Sequence, residues 1–398
     1  MFDVIVVGGG IAGCSSAISL ALNGKKVLLL EKGNYPSHKI CGEFLSVEAA
    51  DILERLGALA PTQQAGACPI SEVLVTASSG RQWRGKLPGI AYGISRYSFD
   101  QILFNRSLQA GVEGRTQTNV LNVTGSLLEG FVVTTAVQEF RGRTVIGAYG
   151  KRSALSDAIT QRRSDDSEEY VGFKQHFKGP GPDGVVEVHA FDRGYCGINK
   201  VENGTVNVCW LARRSLLTEF GGSHTAIIDQ VMPGNAALYA RLSSLMPIEG
   251  TFCAIGGVSL RRKETVVKDV FLAGDSAQMI APFCGDGMGM ALRTGEMTAE
   301  LYLQYLDNKI SELDLIEKYR TCWNREFNTR LALGRILQNI ALSPKGADAA
   351  LALLRWAPGV GQMLIAGTRG TSGAASESSS RHPSIVSPGP KASATPRP

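Results

Sequence analysis

The chain opens on an uninterrupted apolar run, Val4-Ile5-Val6-Val7. Three glycines follow, Gly8 to Gly10, then small and apolar residues to about Leu22 and a second apolar run, Val27 to Leu30. Short apolar runs bounded by turn residues read as strands buried on both faces, so the pattern predicts strand, glycine turn, helix and a parallel second strand. Asp51 to Leu59 and Phe99 to Gln109 repeat apolar residues at helical spacing and predict packing helices. From about Val185 to Ala212 the pattern changes. Gly184-Val-Val-Glu-Val-His-Ala-Phe191 and Gly204-Thr-Val-Asn-Val-Cys-Trp-Leu211 predict antiparallel strands and a second domain. Val266 to Ala273 returns to a buried strand, Gly287 to Tyr305 reads as a long helix, and 311–366 reads as helical with a break at Trp356-Ala357-Pro358-Gly359. Beyond Gly367 serine, glycine, proline and alanine dominate, and a disordered tail is expected.

The first turn carries chemistry. Gly8-x-Gly10-x-x-Gly13 follows the first strand and opens the helix. Gly8 permits the tight turn, Gly10 lets backbone approach a pyrophosphate, and Gly13 lets the helix pack closely. Ile11 and Ala12 open the helix, whose unpaired N–H groups favour phosphate. Glu31 closes the second strand, placed to accept hydrogen bonds from an adenosine ribose, and Lys32 follows it. The order predicts dinucleotide binding; a glycine turn used only for packing is the alternative.

Composition narrows the class. The chain has 398 residues, 44% hydrophobic and 19% charged, with a formal charge of +5. Two connected globular domains are expected, and nothing demands a nucleic acid. No apolar run of about 18 residues lacks charges or breakers, so no spanning helix is expected. The apolar start carries Asp3 and no basic region, and reads as a strand rather than a leader. Eight scattered cysteines form neither a C-x-x-C pair nor a zinc-spaced cluster, so no metal is expected and a reducing cytoplasm fits.

Val270-Phe-Leu-Ala-Gly274-Asp275-Ser-Ala277 and Pro282-Phe-Cys-Gly285-Asp-Gly287-Met288-Gly289 resemble the late flavin motif of the class A flavoprotein monooxygenases and their relatives, the geranylgeranyl reductases and flavin-dependent halogenases. The resemblance runs in motif order over residues 1 to 305 and implies FAD as cofactor. It implies that Asp275, beside Gly274, holds the ribityl chain. The helix start around Gly285, Gly287 and Met288 would then aim N–H groups at the flavin N1 and O2 edge, where reduced flavin is negative. Tyr35-Pro36-Ser-His38-Lys39-Ile-Cys41-Gly42-Glu43 resembles the P-x-x-K-x-C-G stretch of the geranylgeranyl reductase-like branch. That likeness implies Lys39, Cys41 and Gly42 beside the flavin; the alternative is a loop entering a helix capped by Ser46. Arg96-x-x-Phe99-Asp100 matches a superfamily pattern that implies Arg96 as a cationic partner of phosphate or flavin, against a plain i,i+4 pair with Asp100.

The expected fold is therefore α/β: a Rossmann-like, glutathione reductase-like FAD-binding domain with an inserted, mainly antiparallel β-sheet substrate domain and C-terminal helices. Segments 1–70, 96–160 and 265–310 are assigned to the first domain and 71–95 and 161–264 to the second. Residues 311–366 form the helices and 367–398 the tail. The expected function is an FAD-dependent oxidoreductase of secondary or lipid metabolism acting on a hydrophobic small molecule. Hydroxylation through a flavin C4a-hydroperoxide comes first. The alternatives are a geranylgeranyl reductase-like reduction of carbon–carbon double bonds, halogenation, and flavin binding without turnover. No catalytic residue is assigned; Cys41 and Tyr195 are candidates to protonate carbon in the reductase version. His38, His176, His189, His224 and His382 are dispersed and make no catalytic pair. NAD(P)H, another reductant or an electron-donor protein would supply electrons. Where class A hydroxylases carry Ala-Asp-Gly, this chain has Ala148-Tyr149-Gly150, which argues against direct reduction by NADPH; Lys151 and Arg152 offer compensating charge. The signature tryptophans of the tryptophan-type halogenases are absent. The apolar Ala349 to Leu354, before Arg355 and Trp356, reads as packing on the sheet domain, with peripheral contact on a lipid surface as the alternative.

Overall fold

The computed structural model describes residues 1–151, 155 and 170–370. The strand Phe2–Val7, the helix Ile11–Leu22 and the strand Val27–Leu30 form the opening βαβ unit, its strands parallel from Val4↔Val27 to Val7↔Leu30. Glu139–Gly147 pairs in parallel on the other side of the first strand, with Val270–Leu272 beyond it, while Glu113–Arg115 extends the sheet past Val27–Leu30. With the hairpin Val120–Ser126 and Gly130–Thr135 and the short strand Val266–Val267, this sheet has eight strands.

Val4 to Val7 and Val27 to Leu30 are apolar and buried at every position because helices cover them. Ile11–Leu22 lies against the long helix Gly287–Leu306, and their approach depends on Gly295, where a Cβ would come 2.4 Å from the Ala12 carbonyl oxygen. Ser15 Oγ donates to Leu292 O at 2.8 Å across the same contact. Tyr302 and Tyr319 donate their hydroxyls to Val145 O (2.7 Å) and Leu272 O (2.5 Å), tying two helices to strands inside the core.

A second, nine-stranded sheet runs in the order Met246–Pro247, Tyr170–Lys178, Val206–Arg213, Gly194–Lys200, Val185–Phe191, Cys68–Thr76, Gln82–Gly93, Phe44–Leu45, with Cys253–Val258 also on Tyr170–Lys178. It is antiparallel except where Val185–Phe191 pairs with Cys68–Thr76. Strand alternation sends Phe173, Val208 and Trp210 into a core with Leu216, Ile227 and Leu238 of the helices on one face. On the other face Tyr195, Leu211 and Val258 cluster with Val188, Ile255 and Phe283.

Helix boundaries depart from the periodic pattern where side chains decide them. The helix expected over Asp51 to Leu59 spans Ala49–Leu56, ends at Gly57 (φ 67°), and a separate turn runs over Leu59–Gln64. Ser46 does not cap it; its hydroxyl donates to Asp286 Oδ1 at 2.8 Å instead. The next helix begins at Arg96 because the Ser95 hydroxyl accepts the Ser98 N–H at 3.1 Å. The C-terminal helices are Glu312–Ala341, Pro344–Trp356 and Pro358–Gly367. Ala347 and Leu351 pack against Ala77 and Ala190 of the second sheet, leaving Leu353 57% and Trp356 89% exposed. Among the described residues no single helix is long and apolar enough to cross a membrane. Residues 368–370, expected in the tail, are held in place, with the Gly370 N–H donating to Glu48 Oε1 at 3.0 Å. Arg152, His382 and residues 371–398 lie outside the described residues.

Candidate functional site

Between the two sheets lies one cavity of about 830 Å³. Gly8, Gly10, Ile11, Ala12, Glu31, Lys32, Lys39, Cys41, Gly42, Arg96, Gly274, Asp275, Gly285, Gly287 and Met288 all line it, together with Tyr149 and Tyr195. Of the residues proposed from sequence, Gly13 does not. Its Cβ would fall 1.9 Å from Gly8 O, so it serves the packing of helix on strand.

At one end the wall is backbone. Gly8 sits at φ 107°, and a Cβ there would meet Ala148 O at 2.3 Å, whereas a Cβ on Gly10 would project into open space. The helix beginning at Ile11 has no side-chain cap, so its first N–H groups are available to an anion. Glu31 has a part the sequence did not suggest: Oε2 accepts the Gly9 N–H at 2.7 Å and Oε1 the Gly33 N–H at 2.9 Å. The carboxylate thus fixes the glycine turn and still faces the cavity. This cradle of missing side chains, free N–H groups and an anchored acid fits the pyrophosphate and adenosine of FAD.

Beside it runs the loop Lys39 to Glu43. Arg96 makes a two-point ion pair with buried Asp100 (2.6 and 2.7 Å), and Lys39 joins the same carboxylate at 2.7 Å. Pairing on the helix and cavity lining, read as alternatives from sequence, are both true of Arg96. Glu43, fully buried at φ 52°, binds Lys174 Nζ (2.8 Å), His176 Nε2 (2.6 Å) and the Arg96 N–H (2.9 Å). Asn207 Nδ2 donates to Gly42 O at 2.9 Å. Lys174 and His176 were missed by the sequence reading. The signal was present as two polar side chains at i, i+2 in an apolar strand, but their partner is remote in sequence.

The far end is apolar, with Val186, Val188, Leu211, Ile255, Val258 and Phe283 in its wall. Tyr195 lies here, its ring edge-on to Phe283 at 5.3 Å between centroids. Its hydroxyl is buried and has no hydrogen-bond partner among the described residues, and burial raises its pKa well above the usual phenol value. Burial also raises the Cys41 thiol, against the pull of the Arg96 charge. Both candidates therefore keep their protons at neutral pH. Burial raises the Asp275 carboxyl too, against the pull of Arg96, Lys263 and Lys151.

The helix Gly287–Leu306 starts at the cavity with no side-chain cap. Just behind it Arg330 binds both Asp286 and Glu48. Burial and the neighbouring Glu48 push the Asp286 carboxyl up to about 7.

A glycine-cradled dinucleotide end facing an apolar chamber on a second sheet is the architecture of a flavoprotein that works on a small molecule. Residues 3–40 match the family described as DAO, FAD dependent oxidoreductase. The chain is 26% identical to digeranylgeranylglycerophospholipid reductase 2 of Methanopyrus kandleri, over 82% of its length and 83% of the relative's. It is 24% identical to the menaquinone reductase of Mycolicibacterium smegmatis, over 75% and 76%. The fold matches the myxobacterial chondrochloren halogenase CndH with a TM-score of 0.74 at 20% identity, covering 90% of each chain. The chain is an FAD-dependent oxidoreductase, similar in sequence to these reductases and in fold to an FAD-dependent halogenase.

Proposed function

We propose that this oxidoreductase reduces carbon–carbon double bonds in a hydrophobic, isoprenoid-like small molecule. The observation that carries the reading is the Tyr195 hydroxyl, buried in the apolar half of the cavity without a partner. Leaving such a group unpaired costs about 1–3 kcal/mol, a cost explained if the hydroxyl serves a substrate. The names of the two curated reductases support the same choice.

In this reading Gly8, Gly10, Ile11 and Ala12 hold the FAD pyrophosphate, and Glu31 and Lys32 face the adenosine. Lys39, Cys41, Gly42 and Arg96 border the flavin. Gly274 and Asp275 hold the ribityl chain, with Gly285, Gly287 and Met288 at the pyrimidine edge. Bound FAD supplies a hydride once reduced. The protein's part is to seat an apolar chain against Val188, Leu211 and Ile255, exclude water, and give the Tyr195 proton to the carbon next to the one reduced. Cys41 borders the site beside Arg96 and is not assigned the proton in this reading. Electrons come from NAD(P)H, another reductant or a donor protein, and Tyr149 in place of the usual aspartate favours a route other than direct NADPH reduction. Segments 1–70, 96–160 and 265–310 would thus serve the cofactor, and 71–95 and 161–264 the substrate.

The test is Tyr195→Phe assayed with a polyprenyl substrate. Loss of a general acid lowers turnover by about 100-fold or more, while FAD content stays at the wild-type level. Undiminished turnover would sink the reading. A second reading, hydroxylation, is favoured by the water-excluding apolar walls and needs no acid from the protein. It expects a product heavier by one oxygen and a Tyr195→Phe enzyme that still makes it.

A further inference from the structure

The C-terminal helices end inside the site. After Pro358–Gly367, Thr368 N–H bonds back to Leu364 O (3.2 Å), and Gly370 N–H is held by Glu48 at 3.0 Å. Between these two anchors Arg369 reaches the cavity wall, its guanidinium carbon 5.2 Å from the centre of the Phe44 ring. Nε and Nη1 are buried and have no hydrogen-bond partner among the described residues. Two carboxylates lie on this side of the cavity: Asp286, which Arg330 and the Ser46 hydroxyl bind and whose charge Arg369 favours, and Glu48, whose Oε1 takes Arg330 and the Gly370 N–H; neither makes a hydrogen bond with Arg369 Nε or Nη1.

Arginine cannot discharge itself by losing a proton. Stacking on a ring offsets only about 0.5–2 kcal/mol of the cost of burying an unpaired guanidinium. Two guanidinium N–H groups at the cavity wall thus remain open to an anionic ligand. The other positive feature of this wall is the uncapped start of Gly287–Leu306, with Gly285 and Gly287 lining the cavity there. Two sources of positive charge, from separate parts of the chain, converge on one end of the cavity.

We infer that Arg369 is the counter-charge for the anionic pyrimidine edge of the reduced flavin, so that the C-terminal segment sets the cofactor's reduction potential. This rests on the FAD placement proposed above. It assigns Arg369 a positioning and electrostatic part, and makes residues 368–370 a component of the flavin site.

The experiment is the midpoint potential of bound FAD, followed by absorbance during reductive titration, in the wild type, Arg369→Gln and Arg369→Lys. Removing the charge is expected to shift the reduction equilibrium about tenfold toward oxidised flavin, a fall of ~30 mV for a two-electron couple, with Lys restoring most of it. Variants are compared at equal FAD content and melting temperature. If Arg369→Gln were to lose stability, shortening the chain after Thr368 removes the same charge by another route. A wild-type protein that binds FAD while both altered proteins keep its potential overturns this inference alone. A wild type that takes up no FAD overturns the placement beneath it. An unchanged potential with weaker binding of a carboxylate- or phosphate-bearing substrate would reassign Arg369 to the substrate, and overturn the flavin assignment.

Discussion

At the nucleotide end of the cavity the wall is main chain: Gly8, Gly10 and the first turn of Ile11–Leu22, braced by Glu31. At the opposite end it is side chains, drawn from four strands of the second sheet and from the loop at Phe283. The first end works by what is absent. Such a cradle tolerates no Cβ at Gly8, leaves the space at Gly10 open, and takes its side-chain support from Glu31. The second works by what is present, and its chemistry can change with single substitutions that leave the fold alone. One scaffold can therefore keep its cofactor while its substrate chamber changes.

This contrast can be broken or sharpened on a common scale of stability. The largest effect belongs to Gly13→Val. Its Cβ would collide with backbone 1.9 Å away, so a loss above about 4 kcal/mol, or no folded holoprotein, is expected in urea unfolding. A stable, yellow Gly13→Val protein would remove the packing argument. Next comes Glu43→Gln, which leaves Lys174 buried without its counter-ion and is expected to cost about 3–5 kcal/mol.

Glu187, on the second sheet, gives a smaller effect that depends on pH. Burial would raise its carboxyl, but hydrogen bonds from His189 (3.2 Å) and Arg241 (2.6 and 2.9 Å) hold it at about 2. The folded value lies below the unfolded one, so the stabilisation, about 3 kcal/mol, is complete above pH ~4.5 and is lost as pH falls toward 2. Glu187→Gln should flatten that acid limb in denaturation curves measured at stepped pH. The smallest effect is expected from Tyr195→Phe. Removing a hydroxyl that bonds to nothing should stabilise the fold by about 1 kcal/mol, the low end of the cost of an unpaired group, and so raise the melting temperature slightly. A clear destabilisation would mean that the hydroxyl has a structural partner after all.

The same contrast explains what could be read from the chain. The glycine turn and the Gly274-Asp275 pair were legible as cavity-lining segments because each lies in one short stretch, where spacing and geometry are the same thing, while the bracing of Gly9 by Glu31 spans 22 residues and was not. Tyr195 was legible only as a candidate. Its isolation depends on Leu211, Val258 and Phe283, which only the sheet brings around it. Ser46 was read as a helix cap because the local pattern allowed it, and its true partner, Asp286, lies in another part of the chain. Arg369 fell in what composition marked as tail, since three ordered residues tied down by Glu48 do not alter an average.

By itself the sequence determined the dinucleotide end and the change from helix-covered parallel strands to an antiparallel sheet. Those features follow from backbone space and hydrophobic period, which neighbours along the chain dictate. The tertiary structure alone decided which charges are paired, which hydroxyl is left without a partner, and that one cavity joins both ends. Those properties arise between residues far apart in sequence, and the free energy of a buried polar group depends on what is folded around it.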